Sequence, residues 1–119
     1  MRGTSWEAEE VTAITSSVTL LEVILDMAAS GFADQTELAV AALEDLRALT
    51  IVPLDKAMSK TAAKHVLDDG ITIQDAYHLA TALQSGVSCF VIRDTGLAKK
   101  IGKYVKAVSP EDLSPKSSA

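Results

Sequence analysis

Short β-branched segments alternate with longer helical segments along this chain, and the alternation narrows the fold to one class. Strands are predicted at 11–16, 50–54, 88–93 and 104–108. Helices are predicted at 17–30, 34–49, 55–67, 72–85 and 97–103. The third strand, Ser-Cys-Phe-Val-Ile-Arg, is apolar on both faces, as strands inside a parallel sheet are. Because helices separate the strands, this order predicts an α/β fold of three layers, α/β/α, with a parallel sheet.

The size and composition of the chain fit one domain. It has 119 residues, of which 48% are hydrophobic, enough for a core of its own. We therefore expect a single domain over residues 1–113 and a disordered tail at 114–119. The single cysteine, Cys89, favours a reducing compartment, and no apolar run is long enough to span a bilayer. The expected location is the cytoplasm, with no membrane partner.

Charge is distributed unevenly along the sequence. Eleven Lys and Arg against sixteen Asp and Glu give a net charge of −5, the wrong sign for holding nucleic acid by bulk electrostatics. The stretch 93–106 nevertheless carries +4, because it contains five basic residues and one acid, Asp94. An anionic partner would approach there. The other interpretation is that Lys99, Lys100 and Lys103 form the solvated face of a short helix.

Two acids interrupt the apolar sequence of the helix predicted at 17–30, which we expect to be mostly buried. Glu22 and Asp26 are four residues apart on one face, where like charges destabilise a helix. A buried carboxylate must be paired, protonated or bound to a metal ion, and no Lys or Arg lies between positions 3 and 46. Either Glu22 is functional, or Thr19 and Glu22 form a capping box and Asp26 is simply exposed.

Asp75 lies in the first turn of the helix predicted at 72–85. Thr-x-x-Asp is the spacing of a capping box, so one interpretation of Asp75 is an acid that satisfies backbone donors. The helix is otherwise nearly apolar, and Asp75, His78 and Ala82 form a narrow stripe that should face a cleft or a polar seam. His78 is then either a metal ligand or a wall histidine hydrogen-bonded to a neighbour. The other histidine, His65, is expected on the surface.

A third acid, Asp94, stands at the carboxyl end of the strand predicted at 88–93, where open α/β sheets place their ligand crevices. The alternative is an Asx turn or an N-cap for the helix that begins near Leu97. Asp94-Thr95-Gly96 also matches the tripeptide of aspartic proteases. Those enzymes are Gly-rich β folds, whereas this tripeptide leads into a Lys-rich helix, so that class of enzyme is excluded.

Four segments together resemble the PIN-domain nucleases. Residues 14–23, Ile-Thr-Ser-Ser-Val-Thr-Leu-Leu-Glu-Val, are similar to the strand-to-helix segment that carries the second active-site acid of that family. Residues 75–82, Asp-Ala-Tyr-His-Leu-Ala-Thr-Ala, resemble the third motif and are the most specific match, and residues 90–94 resemble the fourth. The ending at 108–113 is similar to the close of PIN toxins of the VapC type. The resemblance covers roughly residues 10–113.

This resemblance implies a metal-dependent endoribonuclease with Mg²⁺ or Mn²⁺ as its cofactor and RNA as its substrate. The implied metal ligands are three acids, Glu22, Asp75 and Asp94. Carboxylates suit these ions, and the metal would activate a water for attack on a phosphodiester. The implied contacts to the RNA backbone are three basic residues, Arg93, Lys99 and Lys100. The resemblance also implies a homodimer and a protein antitoxin as partners.

Two features depart from the family pattern. Ile92 stands where the family has Thr or Ser, which removes a hydroxyl that would orient the site. The family opens with a strand that ends in Asp, followed by a helix, and no segment before Val11 supplies them. We therefore expect a PIN domain that is incomplete at its N-terminus, and the alternative function is a non-catalytic PIN-like module that binds RNA or protein. A response-regulator-like domain is a weaker alternative, because residues 15–17 form neither an acidic pair nor a Gly-rich loop.

In the family, that first strand lies in the middle of the sheet. Without it, the strands on either side have unpaired edges. We expect the chain to compensate by pairing strands across a dimer, by placing 11–16 directly against the strand near Phe90, or by packing loosely. In each case the three acids would be displaced from a complete site, so we expect the chain to be oligomeric or marginally stable and to have little nuclease activity.

Overall fold

The computed structural model describes residues 13–113. The first twelve residues of the predicted domain, which include the start of the predicted first strand, and the predicted tail at 114–119 lie outside the described residues. The strands are β1 (Ala13–Ser16), β2 (Leu49–Val52), β3 (Phe90–Val91) and β4 (Ala107–Val108). The helices are α1 (Val18–Ala29), α2 (Thr36–Glu44), α3 (Lys56–Asp69), α4 (Ile73–Ser85) and α5 (Thr95–Ile101), with 3₁₀ turns at Ala33–Gln35 and Pro110–Leu113. This order confirms the predicted mixed α/β class.

The strands pair in parallel as predicted, but within residues 13–113 they form two separate sheets and not the single sheet that was expected. β1 pairs with β2 from Ala13 opposite Leu49, and β3 pairs with β4 from Phe90 opposite Ala107. Helices connect the members of each pair, as parallel strands require. Within residues 13–113, β1 does not pair with β3. Of the three expected arrangements, direct pairing of the first strand with the strand near Phe90 is therefore not the one adopted.

α4 lies at the centre of the core. It packs on α3 and against β1, and local signals fix both of its ends. At its start, the Thr72 hydroxyl accepts the Asp75 N–H at 3.1 Å, and at its end Gly86 has a φ of 66°, in the region that favours glycine. The buried apolar cluster around it contains Met58, Ala62, Ile71, Ala76, Leu79, Ala80, Leu97 and Ile101. The packing of the buried face of α4 in this cluster thus fixes the position of its polar face.

α1 is less buried than its composition predicts. Val18 at its start is buried, but Leu21, Ile24 and Leu25 are each at least 41% exposed. The prediction of a mostly buried helix is wrong for the described part of the chain, because no element between residues 13 and 113 covers the side of α1 that carries these three residues.

None of the described helices combines the length and the apolar character needed to cross a membrane.

His65 is buried, and the prediction that it lies on the surface is wrong. Its Nδ1 lies 3.1 Å from Oδ2 of Asp69, one turn further along α3, and the centroid of its ring lies 4.7 Å from that of Tyr104 in an edge-on arrangement. The Asp69 carboxylate also accepts hydrogen bonds from the Tyr104 hydroxyl at 2.9 Å and from Lys103 Nζ at 3.0 Å. Only 2% of the Asp69 side chain is exposed. This cluster joins the carboxyl ends of α3 and α5.

We expect Asp69 to make folding stability sensitive to acid. The hydrogen bond from Lys103, with smaller contributions from His65 and Tyr104, lowers the pKa of Asp69 from 3.8 to about 2. A carboxyl group with a lower pKa in the folded state stabilises the protein above its unfolded pKa, and this stabilisation is lost as the pH falls to the folded pKa. Urea unfolding should therefore show that the native chain loses stability more steeply than Asp69→Asn between pH 3.8 and about 2.

The control for this experiment is Asp68→Asn, which changes the exposed neighbouring acid. That variant should follow the native chain at every pH. Equal pH slopes for the native chain and Asp69→Asn would contradict the linkage.

Candidate functional site

Glu22, the first predicted acid, lies on α1 and is bonded to α4. Its Oε1 is 3.2 Å from Nε2 of His78, and the other ring nitrogen, Nδ1, is 3.1 Å from the Ser16 hydroxyl at the end of β1. Ser16 is fully buried, whereas His78 and Glu22 are partly exposed. The interpretation of His78 as a wall histidine hydrogen-bonded to a neighbour is confirmed.

The predicted capping box of Thr19 and Glu22 is wrong. α1 begins at Val18, and Ser17 occupies the N-cap position without a hydrogen bond from its side chain. Thr19 lies inside the first turn, where its hydroxyl bonds the Thr15 hydroxyl of β1 at 2.6 Å. The Glu22 carboxylate is therefore not engaged in capping and is available for its contact with α4.

Asp75 lies on α4, one turn before His78. The Thr72 hydroxyl accepts the Asp75 backbone N–H, so among the described residues only the Thr72 half of the capping box is present, and the Asp75 carboxylate satisfies no backbone donor. No residue between 13 and 113 makes a hydrogen bond or an ion pair with the carboxylate of Asp75, which is half-buried. Residues three apart share a helix face, so Asp75 lies on the side of α4 on which His78 reaches Glu22. The first two predicted acids thus lie on neighbouring helices.

Asp94 lies in another part of the fold. It is exposed and caps α5, with its Oδ1 accepting the Leu97 N–H at 3.1 Å. Gly96 leaves room for this cap, because a Cβ at that position would come within 3.3 Å of Asp94 Oδ1. The N-cap interpretation of Asp94 is confirmed. Asp94 follows β3, which belongs to a different sheet from β1, and no hydrogen bond in the described range joins it to Glu22 or His78.

The three acids do not form one cluster in the part of the chain that the structure describes. Among residues 13–113, no group of three or more His, Cys, Asp and Glu side chains is arranged to hold a metal ion. Carboxylate oxygens are the donors that Mg²⁺ and Mn²⁺ prefer, so Glu22 and Asp75 fit such an ion by chemistry, and they lie on two helices that contact each other. Asp94 fits by chemistry only.

The predicted RNA-binding residues lie on the half of the molecule formed by β3, α5 and β4. Arg93 pairs with Glu111 at 2.7 Å, and this hydrogen bond lowers the pKa of the Glu111 carboxyl. Lys100 Nζ lies 3.3 Å from the Gly70 carbonyl oxygen. Lys99 is exposed and makes no hydrogen bond or ion pair within residues 13–113. Both lysines thus lie on the exposed side of the helix that the third acid caps.

A cleft of about 170 Å³ adjoins Asp94 at the carboxyl ends of β3 and β4. Its two acids are already used in local structure. Asp94 caps α5, and Asp112 Oδ2 accepts the Ser109 N–H at 3.0 Å. Neither Glu22 nor His78 lines the cleft, so it is separate from the site on α1 and α4.

Parallel strands joined by helices define a mixed α/β domain. The sequence profile of the PIN domain family matches residues 4–103, and the chain belongs to this family. Proteins of the family are typically nucleases that use a divalent metal ion. No curated protein and no solved structure matches the chain.

Ser16 is the residue at the site that sequence reasoning missed. It is separated from His78 by 62 positions, so no spacing rule connects them. The available signal was indirect: a hydroxyl at the carboxyl end of a strand, and a histidine on a helix stripe expected to face a polar seam. Each of these two residues could be recognised in the sequence by itself, but only the three-dimensional fold shows that they are in contact.

Proposed function

We propose that this chain is a metal-dependent endoribonuclease of the PIN type, similar to the VapC toxins. One observation carries the proposal: Glu22 and Asp75, which match the acidic motifs of the family, lie on neighbouring helices, and Glu22 is bonded there by His78. Among residues 13–113, no hydrogen bond or ion pair engages the carboxylate of Asp75, so both of its oxygens are available there to a cation. The chain's membership of the PIN family supports the same conclusion.

The proposed ligands each keep an oxygen for the metal ion. Glu22 offers Oε2, since Oε1 is bonded by His78. Asp94 keeps Oδ2, since Oδ1 caps α5, but it lies beside the other sheet and would have to approach the other two acids to share their metal ion. Asp75 offers either oxygen of its carboxylate. A bound Mg²⁺ or Mn²⁺ would supply a water of lowered pKa and stabilise charge on the phosphodiester. The three carboxylates would hold and orient the metal ion, and no covalent nucleophile is needed.

The proposed RNA contacts are made to phosphates by exposed basic side chains. Lys99 and Lys100 extend from α5. Arg93 is paired with Glu111, but both side chains are largely exposed, and exposed ion pairs contribute little to stability. A phosphate group can therefore replace the Glu111 carboxylate at little cost. Phosphate contacts position the strand without reading its bases.

The direct test of the enzyme is cleavage of a single-stranded RNA by the purified chain. Because the three acids do not form one cluster among residues 13–113, we expect slow cleavage with Mg²⁺ or Mn²⁺, loss of this cleavage with EDTA and recovery when the metal is added back. Cleavage that continues unchanged in EDTA would contradict the metal dependence. RNA that stays intact at every metal concentration would contradict the proposal that the chain is a ribonuclease.

Lys99 and Lys100 should contribute to RNA affinity through charge alone. We expect Lys99→Ala/Lys100→Ala to flatten the plot of log Kd against log salt by about 1.4 units, 0.7 for each phosphate contact to a single strand. Lys60→Ala/Lys64→Ala, which removes two exposed lysines of α3, is the matched control and should keep the native slope. An unchanged slope in Lys99→Ala/Lys100→Ala would contradict the phosphate contacts and leave the two lysines as the solvated face of α5.

A second candidate function is a non-catalytic PIN-like module that binds RNA or protein. It is favoured by the observation that residues 13–113 contain no group of three metal-binding side chains. A Mn²⁺ titration separates the two candidates. The module should bind Mn²⁺ weakly or not at all and should bind RNA without cutting it.

The likeness to VapC toxins also supports proposing a homodimer and a protein antitoxin as partners. Leu21, Ile24 and Leu25 form an exposed apolar side of α1. Exposed apolar patches are common on surfaces that associate.

A further inference from the structure

Two hydrogen bonds through His78 connect Ser16, at the buried end of β1, to Glu22, and a third anchors Ser16 to the start of α1. Ser16 Oγ accepts the Val18 N–H at 3.2 Å and lies 3.1 Å from His78 Nδ1, and His78 Nε2 lies 3.2 Å from Glu22 Oε1. Exposure rises along this path, from the fully buried Ser16 through His78 to Glu22. The partly exposed carboxylate of Glu22 is therefore linked, through His78, to the hydroxyl of Ser16. Ser16 is buried and cannot move without disturbing the core.

The hydrogen atoms along the path follow from the chemistry of the groups. A bare Nε2 would repel the Glu22 carboxylate, so Nε2 carries a hydrogen and donates it to Oε1. In the neutral ring Nδ1 is then an acceptor. The Ser16 hydroxyl, which already accepts from Val18, donates to Nδ1. The other tautomer would leave a buried hydroxyl hydrogen without an acceptor, which is costly.

We propose that Ser16 and His78 are positioning residues for Glu22: they fix its Oε1 and leave Oε2 for a divalent cation. This inference rests on the proposed function, because it needs a cation that binds Glu22. His78 is not itself a metal ligand, since both of its ring nitrogens are engaged. A glutamate loses rotamer freedom when it binds a metal. The fixed imidazole orders Glu22 before the cation arrives, as partners behind a metal ligand commonly do.

Mn²⁺ affinity in the absence of RNA tests the inference. His78→Leu removes the donor to Glu22, whereas His78→Gln keeps an N–H near the position of Nε2. We expect the Kd for Mn²⁺, measured from the electron paramagnetic resonance signal of the free ion, to rise about 10- to 100-fold in His78→Leu. The rise should be much smaller in His78→Gln, because a purely structural histidine would not be rescued selectively by a restored donor.

His65→Gln is the matched control. It replaces the other histidine that is hydrogen-bonded to a carboxylate, in this case Asp69 at 3.1 Å. Neither residue belongs to the proposed site. This variant should keep the native Mn²⁺ affinity even where its unfolding midpoint falls.

A metal-free measurement tests the hydrogen assignment separately. The long-range ¹H–¹⁵N spectrum of the native chain should show Nε2 of His78 protonated and Nδ1 bare. Ser16→Ala, which keeps the ring but removes the donor to Nδ1, should give a mixture of tautomers and a smaller loss of Mn²⁺ affinity than His78→Leu. The Ser16 variant also keeps the inference testable where His78→Leu does not fold.

The outcomes separate this inference from the function on which it rests. Native Mn²⁺ affinity in His78→Leu, or a bare Nε2 of His78 in the native chain, overturns the positioning role while metal-dependent cleavage stands. A native chain that binds no Mn²⁺ and cuts no RNA overturns the proposed function, and the positioning role fails with it. Equal losses in the Leu and Gln variants assign His78 to structure alone and overturn the inference.

Discussion

Asp75→Asn should reduce metal-dependent RNA cleavage more than about a hundredfold and leave the unfolding free energy nearly unchanged. Partners behind a metal ligand alone are worth about 10- to 100-fold, so loss of a ligand's charge should cost more. Packing is kept because Asn has nearly the shape of Asp. The helix cap is kept because Thr72 bonds the backbone N–H of residue 75. Single-turnover cleavage and urea unfolding measure the two quantities.

Asp26→Asn is the matched control for this substitution. Asp26 is an exposed acid on α1, one turn beyond Glu22, and no hydrogen bond or ion pair in the described range involves its carboxylate. Its loss should leave cleavage at the native rate. A native cleavage rate in Asp75→Asn would show that Asp75 is not a ligand of the metal ion. Equal losses of cleavage in both variants would indicate an effect of the overall charge of the protein and not the loss of a metal ligand.

Features set by neighbouring residues were predictable from the sequence. The cap of α4 by Thr72, the end of α4 at Gly86 and the cap of α5 by Asp94 each depend on residues within four positions. Such local signals act in the same way wherever the segment lies in the fold. The order of strands and helices follows from the same kind of evidence, because hydrophobic periodicity is local.

Contacts between distant segments were not predictable. His65 is buried through Tyr104, which lies on another part of the chain, so its burial has no local signal. Glu22 and His78 are 56 positions apart, and only the packing of α1 beside α4 brings them together. Because Glu22 has this partner, its placement in an apolar helix is explained without the capping box that the local pattern suggested.

The sheet shows where a family pattern adds to local evidence. The run of apolar residues at 88–93 indicates a strand in a parallel sheet but not its neighbours. The resemblance to PIN domains adds that the first strand of the family lies in the middle of the sheet. Among residues 13–113 the strands pair as β1–β2 and β3–β4 only, so β1 and β3 belong to separate sheets there. This separation also explains why Asp94, which follows β3, lies apart from Glu22.

Leu79→Ala should destabilise the chain by about 2–5 kcal/mol, because it leaves a cavity beneath the helix that carries Asp75 and His78. Leu79 is 0% exposed, whereas Leu67 on α3 is 82% exposed. Leu67→Ala should therefore change stability by no more than about 0.5 kcal/mol. Urea unfolding measures both, and equal changes would contradict the placement of α4 in the core. Since Leu79→Ala keeps every proposed ligand, the Kd for Mn²⁺ per folded molecule should stay at the native value.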